Sequence, residues 1–249
     1  MSTKKYLIMT NTDNKFAKGV AMLLYSLQKH MTRFDEADVK VFYTNLSDDN
    51  KKLISKACSR AIFEKPSDFE FCKGVTTLYG AENQDTFLNF EAFRQNEYEK
   101  VIYLNGDMLC IEDISELLDH DKSMMVSLGI NGRTNLNQFD LNNGTNYWNA
   151  GFFVAGQELL KDLTTYNRLV EMVYAERRKG HGKNSPLNDQ DILNSYWSNR
   201  YLYALSDAYN FKNWGGLSGN DEILRKNKLF MDFFDHNIDK IKIIHYSGK

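Results

Sequence analysis

The stretch Tyr6-Leu7-Ile8-Met9-Thr10, followed by the polar turn Asn11 to Lys15 and then by Val20, Leu23, Leu24 and Leu27, decides the fold. An apolar run with no polar alternation is the signature of a strand buried on both faces, the habit of a parallel sheet. Apolar residues recurring at helical spacing from Phe16 to His30 predict an amphipathic helix. Strand, polar turn, helix is the opening of a βαβ unit. The pattern continues with a short strand at Val39 to Tyr43, a helix capped by Asp48 or Asp49 and running to about Cys58, and a strand at Ala61 to Phe63. The chain therefore starts as an α/β protein with a twisted, mostly parallel sheet.

Further along, Phe87 to Gln95 reads as helix, with Phe90 and Phe93 on one face. Lys100 to Leu104 is a buried strand that stops at Asn105-Gly106-Asp107 and resumes at Met108 to Ile111. Met124 to Leu128 and Gly151 to Ala155 are strands, and Gln157 to about Arg177 and Asp189 to Trp197 are helices. Tyr201 to Leu205 and Lys240 to Tyr246 are late strands. Gly129 to Tyr147 and Arg178 to Asn188 are irregular and polar.

Composition narrows the function classes. The 249 residues carry 31 Lys and Arg against 33 Asp and Glu, a net charge of −2, which argues against a coat for nucleic acid or an anionic membrane. With 42% apolar and 26% charged residues the chain has material for a core and an ordinary polar surface. No apolar run reaches the ~20 residues needed to cross a bilayer, and Tyr6 to Met9 is too short for a signal-peptide core. Three scattered cysteines suit reduced thiols rather than a disulfide framework. The expectation is a single cytoplasmic domain.

Four local patterns can carry chemistry. Asn105 and Asp107 end a strand one residue apart and could hold a hard divalent cation, with Gly106 allowing close approach; an Asn-Gly hairpin turn is the alternative. Asn149-Ala150-Gly151 opens a strand with small residues against which a ligand could lie, or is simply a tight turn. Asp189-Gln190-Asp191 begins a helix, where acids also complement the dipole. His245 ends an apolar strand, either as a ligand or as a core histidine.

In order and spacing these blocks resemble glycosyltransferase family 8, the family of glycogenin and the bacterial lipopolysaccharide galactosyl- and glucosyltransferases. The matching stretches are Met9 to Asp13 with Phe16 to Gly19, Glu97 to Met108 with Asp113 to Leu117, Trp148 to Phe153, Leu187 to Asn194, and His245 to Gly248. The resemblance implies a GT-A fold, a single Rossmann-like αβα sandwich over residues 1–249. Residues 1–110 would form the nucleotide-binding part and 111–249 the acceptor and sugar part. It implies a retaining, UDP-sugar-dependent hexosyltransferase, moving glucose or galactose to a glycan or another hydroxyl acceptor with Mn²⁺ or Mg²⁺.

By the same resemblance Thr10, Asn11, Thr12 and Asp13 fall on uracil and ribose contacts and Phe16 on the ring stacked on the base. Asn105 and Asp107, with Gly106 between them, fall on the Asp-x-Asp motif, and His245 on the third metal ligand. Asn149, Ala150 and Gly151 fall on the donor-sugar pocket. Asp189 falls on an acceptor of sugar hydroxyls and Gln190 beside the anomeric carbon. Gly248, followed by Lys249, falls on the diphosphate contact. Gln190 is a poor nucleophile, which favours same-face attack with Gln190 stabilising positive charge.

The chain departs from the family pattern in three places. Asn105 replaces an Asp, Asn89 replaces a Lys that contacts the donor phosphate, and the final motif stops at Lys249, as expected either of a truncated chain or of a naturally short end. These departures keep open a catalytically weak relative that binds nucleotide-sugar or scaffolds a partner. A nucleotide-sugar pyrophosphorylase needs a glycine-rich loop after the first strand, and Thr10 to Lys15 contains no glycine. The acceptor surface is expected at Gly129 to Tyr147 and Arg178 to Asn188.

Overall fold

The computed structural model describes residues 5–77, 84–128, 148–183, 187–212 and 238–246. In chain order the strands and helices of its first half are β1 (Tyr6–Asn11), α1 (Ala17–His30), β2 (Ala37–Phe42), α2 (Asp48–Ala57), β3 (Ala61–Glu64), β4 (Lys100–Leu104), β5 (Met108–Cys110) and β6 (Met124–Leu128). The second half supplies β7 (Trp148–Gly156), α3 (Gln157–Lys161), α4 (Thr164–Arg178), α5 (Asp189–Trp197), β8 (Tyr203–Leu205), β9 (Phe211–Lys212) and β10 (Ile243–His245).

Among the described residues the main sheet has seven strands in the order β3-β2-β1-β4-β7-β6-β8. Only β7 runs against the others, pairing antiparallel with both β4 and β6. Alternate residues of each central strand feed opposite faces. Leu7, Met9, Val101, Tyr103, Phe153 and Ala155 join one buried cluster with the aromatic segment around Phe87 and with α4 and α5. Ile8, Ile102, Leu104, Phe152 and Val154 join the other, with α1 and Ile54 of α2. The result is the αβα sandwich that buried-on-both-faces strands require.

The order of the first strands reverses between β1 and β4. In an open α/β sheet such a switch point opens a crevice at the carboxyl ends of the strands, where ligands bind. The polar segments Asn11 to Asp13 and Asn105 to Asp107 lie at that edge.

Several elements differ from the sequence expectation. The segment Gln84–Arg94 is a 3-10 helix, not an α-helix. Phe87, Phe90 and Phe93 are fully buried, and a strict spacing of three keeps them eclipsed on one face of a three-residue turn. Met108–Cys110 does not extend the main sheet; it joins a second, three-stranded sheet of order β5-β10-β9. The helix expected over Gln157 to Arg177 breaks into α3 and α4, because Asp162 Oδ1 accepts from the N–H (3.1 Å) and hydroxyl (2.6 Å) of Thr164 and so starts a new helix. Ser47, rather than Asp48 or Asp49, caps α2, accepting from the Asn50 N–H at 3.3 Å. The strand containing Asn149 to Gly151 begins earlier than expected, at Trp148. All three cysteines are free and buried.

Candidate active site

The turn Asn105-Gly106-Asp107 is held from three sides. Asn105 N–H donates to the Gly151 carbonyl at 2.8 Å, which carries the β4–β7 ladder one step past Leu104 and Phe152. Tyr246 N–H donates to the Asp107 carbonyl at 2.9 Å, next to the antiparallel pairing of Met108 with His245. Helix α1 presses on the turn from the third side. A Cβ on Gly19 would stand 2.5 Å from the Gly106 oxygen, and a Cβ on Gly106 would stand 2.6 Å from Val20 Cγ2. Gly106 is thus glycine because α1 approaches it closely.

The β5–β10 pairing brings together two residues far apart in sequence. His245 Nε2 lies 3.2 Å from Asp107 Oδ1, with the imidazole buried and the carboxylate a quarter exposed. The other ring nitrogen, Nδ1, lies 2.8 Å from Asn210 Oδ1. Asn105 sits beside this pair. Its Nδ2, His245 Cε1 and Asn149 Oδ1 all lie within 2.9 Å of the point that a Cβ on Gly151 would occupy. Any side chain at Gly151 would displace all three groups.

Tyr103 links the ends of β1 and β4. Its hydroxyl donates to Asn11 Oδ1 and also lies 2.9 Å from Asn105 Oδ1. Asn11 keeps its oxygen toward Tyr103 because its NH₂ donates to the Asp85 carbonyl at 2.6 Å. A phenol has one proton. Both amide oxygens face that single proton, which ties the end of β1 to the end of β4. Burial, with the charges of Asp189 and Asp107, holds the Tyr103 phenol well above its ordinary range.

A row of amides leads from this turn to α5. Gln190 Oε1 accepts from Asn149 Nδ2 at 2.8 Å and from the Ala150 N–H at 3.1 Å. Asn149 Oδ1 accepts from the Gly151 N–H at 3.2 Å and from Asn210 Nδ2 at 3.0 Å. Asn194 docks α5 on β7 as a strand would, accepting from Trp148 N–H at 2.7 Å and donating to Trp148 O at 2.8 Å. Because both oxygen contacts of Gln190 are occupied, its free end is the NH₂ group. Among the described residues, the Gln190 oxygen is thus engaged by β7 and its NH₂ is the other end of the amide.

Asp189 is half-buried in the first turn of α5. Burial pushes its carboxyl up to about 6, against opposing hydrogen bonds from Asn89, the Gln190 N–H and Thr86. Asn89 is nearly inaccessible, and its oxygen has no hydrogen-bond partner among the described residues.

The first-strand candidates are placed unevenly. Thr10 and Thr12 are buried, and the Thr10 hydroxyl has no partner among the described residues. Asp13 Oδ1 accepts from the N–H groups of Lys15 (2.7 Å) and Phe16 (2.9 Å), a turn that starts α1. Phe16 is 50% exposed, an open aromatic face at this edge. Gly248, Lys249 and Gly129 to Tyr147 lie outside the described residues, as do residues 184–186 of the second irregular stretch. Sequence reading missed Tyr103, Asp85, Asn194 and Asn210 as site-building residues; nothing in their local patterns distinguishes them from core or loop positions.

The sheet order, the single reversed strand and the small second sheet define the GT-A class of glycosyltransferase fold. The chain belongs to the family described as glycosyl transferase family 8, whose model matches residues 7–249. The general stress protein A of Bacillus subtilis (strain 168) is 20% identical over 215 residues, 82% of this chain and 72% of that protein. The structure of the galactosyltransferase LgtC in complex with donor and acceptor sugar analogues superposes with a TM-score of 0.66 at 17% identity, covering 97% of this chain and 87% of the other. The apo structure of the bifunctional glycosyltransferase WbbM gives 0.69 at 18% identity, covering 100% of this chain and 47% of the other. Among the described residues, no helix is long and apolar enough to cross a membrane.

Proposed function

We propose that this glycosyltransferase moves a hexose, glucose or galactose, from a UDP-sugar to a hydroxyl acceptor with retention at the anomeric carbon and with help from Mn²⁺ or Mg²⁺. The observation that carries the reading is the approach of His245 Nε2 to Asp107 Oδ1 at 3.2 Å, beside the Asn105 side chain. The facing pair fits a divalent cation with one carboxylate and one imidazole nitrogen, and the Asn105 amide beside it, which here turns its Nδ2 toward His245 and its oxygen toward Tyr103, would add an oxygen on turning over. Among the described residues no three His, Cys, Asp or Glu side chains converge, and Asp107 is the carboxylate of the facing pair. Diphosphate oxygens of a donor would complete such a site. When bound, the cation supplies Lewis-acid stabilisation of the charge that develops on the departing nucleoside diphosphate.

The remaining work falls to the chain's own side chains. Phe16 offers a face for a base, at the crevice where β1 and β4 diverge. Gln190, its oxygen held by Asn149 and Ala150, turns its NH₂ toward the sugar and orients a hydroxyl or the diphosphate. Asp189 accepts from a sugar hydroxyl, and its half-buried carboxylate lies near the region where positive charge develops. An amide whose oxygen already accepts two hydrogen bonds is a poor nucleophile, so retention is assigned to same-face attack by the acceptor rather than to a covalent intermediate on Gln190.

The test is release of UDP from UDP-glucose and UDP-galactose, with Mn²⁺ and with a chelator. Metal-dependent UDP release is expected from one of them. No release above background from either donor, together with retained nucleotide-sugar binding, would favour the binding-protein alternative and overturn the transferase chemistry proposed here.

A further inference from the structure

We propose that Asn149 and Asn210 are positioning residues that hold His245 as the Nδ1–H tautomer, keeping the Nε2 lone pair turned to Asp107. Two backbone N–H groups, which can only donate, set the direction. Ala150 N–H meets the Gln190 side chain at 3.1 Å, so that atom is the Gln190 oxygen. Gly151 N–H meets the Asn149 side chain at 3.2 Å, so that atom is the Asn149 oxygen. The far end of the Asn149 amide is then its NH₂, and it faces the Gln190 oxygen at 2.8 Å, as it must.

The same oxygen of Asn149 lies 3.0 Å from the Asn210 amide. Only the NH₂ of Asn210 can meet it there. Asn210 is therefore turned with its oxygen toward His245 Nδ1, at 2.8 Å. A carbonyl oxygen at that distance requires a proton on Nδ1. A neutral imidazole has one ring proton, so Nε2 carries a lone pair. The direction of every hydrogen bond in this chain is thus inherited from the backbone of β7.

The consequence is an unusual pair. Nε2 and Asp107 Oδ1 face each other at 3.2 Å, both with lone pairs, in a largely buried place. With the ring neutral, that arrangement is favourable only with an electropositive partner for both, which a cation or a second ring proton would supply. The opposite tautomer would donate Nε2–H to Asp107, satisfy the pair internally and leave no imidazole lone pair for a cation. Hydrogen bonding at the second ring nitrogen is how proteins orient a histidine ligand, usually with a carboxylate or a backbone carbonyl. Here a chain of neutral amides does it, and adds no negative charge. The functional weight of the relay rests on the cation reading above; the tautomer itself does not.

The experiment reads the tautomer without metal. The full chain is labelled with ¹⁵N in its five histidines, and the two-bond ¹H–¹⁵N pattern of the His245 ring is recorded at mildly alkaline pH with chelator present. Its peaks are assigned by their loss in His245→Gln. The expected wild-type pattern is Nδ1–H; an Nε2–H pattern overturns the proposal whatever the variants do. Asn149→Leu makes no hydrogen bond to the ring but frees Asn210 to turn over. It is expected to move His245 toward Nε2–H and to weaken Mn²⁺ binding by about tenfold or more. An unchanged Nδ1–H pattern in a folded Asn149→Leu overturns the relay. A wild-type Nδ1–H pattern with no measurable Mn²⁺ binding instead removes the cation reading and leaves the relay standing.

Discussion

The side-chain amide of Asn89 donates to Asp189 Oδ2 at 2.6 Å, joining the 3-10 segment Gln84–Arg94 to the first turn of α5. A lysine at this position would bring a full charge; Asn89 brings a neutral donor, and so stabilises the carboxylate only in part. Burial prevails, and the Asp189 carboxyl stands at about 6.

That raised value has a cost with a definite pH window. Between about pH 4 and pH 6 the folded chain keeps a proton on Asp189 that the unfolded chain releases, so this group's contribution to stability falls as pH rises. The penalty is absent below about pH 4 and complete above about pH 6. A tenfold change in proton affinity between the two states is worth ~1.4 kcal/mol, so Asp189→Asn is expected to stabilise the protein by about 1–3 kcal/mol at pH 7 and by nearly nothing at pH 4. Urea unfolding at the two pH values checks this, and equal effects at both would contradict it. The same variant is expected to lose transferase activity.

The missing charge at Asn105 is open to direct measurement. Asn105→Asp is expected to tighten Mn²⁺ binding by about tenfold, or ~1.4 kcal/mol, and Asp107→Asn to weaken it by at least as much. Titration calorimetry with Mn²⁺ alone reads both. An unchanged affinity in Asn105→Asp would show that charge at this position does not govern metal binding.

Helix α1 and the Asn105-Gly106-Asp107 turn are in such close contact that a single methyl group should disturb the site. Gly19→Ala would place its Cβ 2.5 Å from the Gly106 oxygen, a backbone atom that cannot swing aside. The expected result is about 1–3 kcal/mol of lost stability, in the range for overpacking, together with weaker Mn²⁺ binding. Normal metal affinity in Gly19→Ala would show that the turn does not depend on the helix.

Lys100 offers a structural test away from the site. Its ammonium donates to the carbonyls of Leu117 (3.0 Å), Leu118 (2.8 Å) and His120, while burial lowers its pKa. Lys100→Met keeps the stem and removes the donors. Leaving those acceptors unsatisfied is expected to cost about 2–4 kcal/mol, read by thermal unfolding. The Asp107–His245 pair lies at the opposite end of β4 and should keep its metal affinity.

The strands and helices of the first βαβ units were legible because their signals are local: an unbroken apolar run, a helical repeat, a polar turn. The 3-10 segment was half legible. Phe87, Phe90 and Phe93 state a period of three, but a short aromatic run suits either helix, and only burial of all three against one surface selects the tighter turn. Met108–Cys110 shows the reverse case. Its apolar pattern marks a strand and says nothing of its partner, which is β10 in a separate sheet.

The sequence by itself determined the α/β class, the site edge and most of the residues gathered there, since strand ends and small polar motifs are written in short contiguous stretches. The tertiary structure alone decided how those residues are joined. It set Asn89 against Asp189, His245 against Asp107, and Asn210 against His245. It also turned the Gln190 oxygen toward Asn149 and Ala150, and the Asn105 oxygen toward Tyr103. The physical reason is that a hydrogen bond has a direction fixed by what stands at both ends, and here one end is supplied by backbone groups of distant strands.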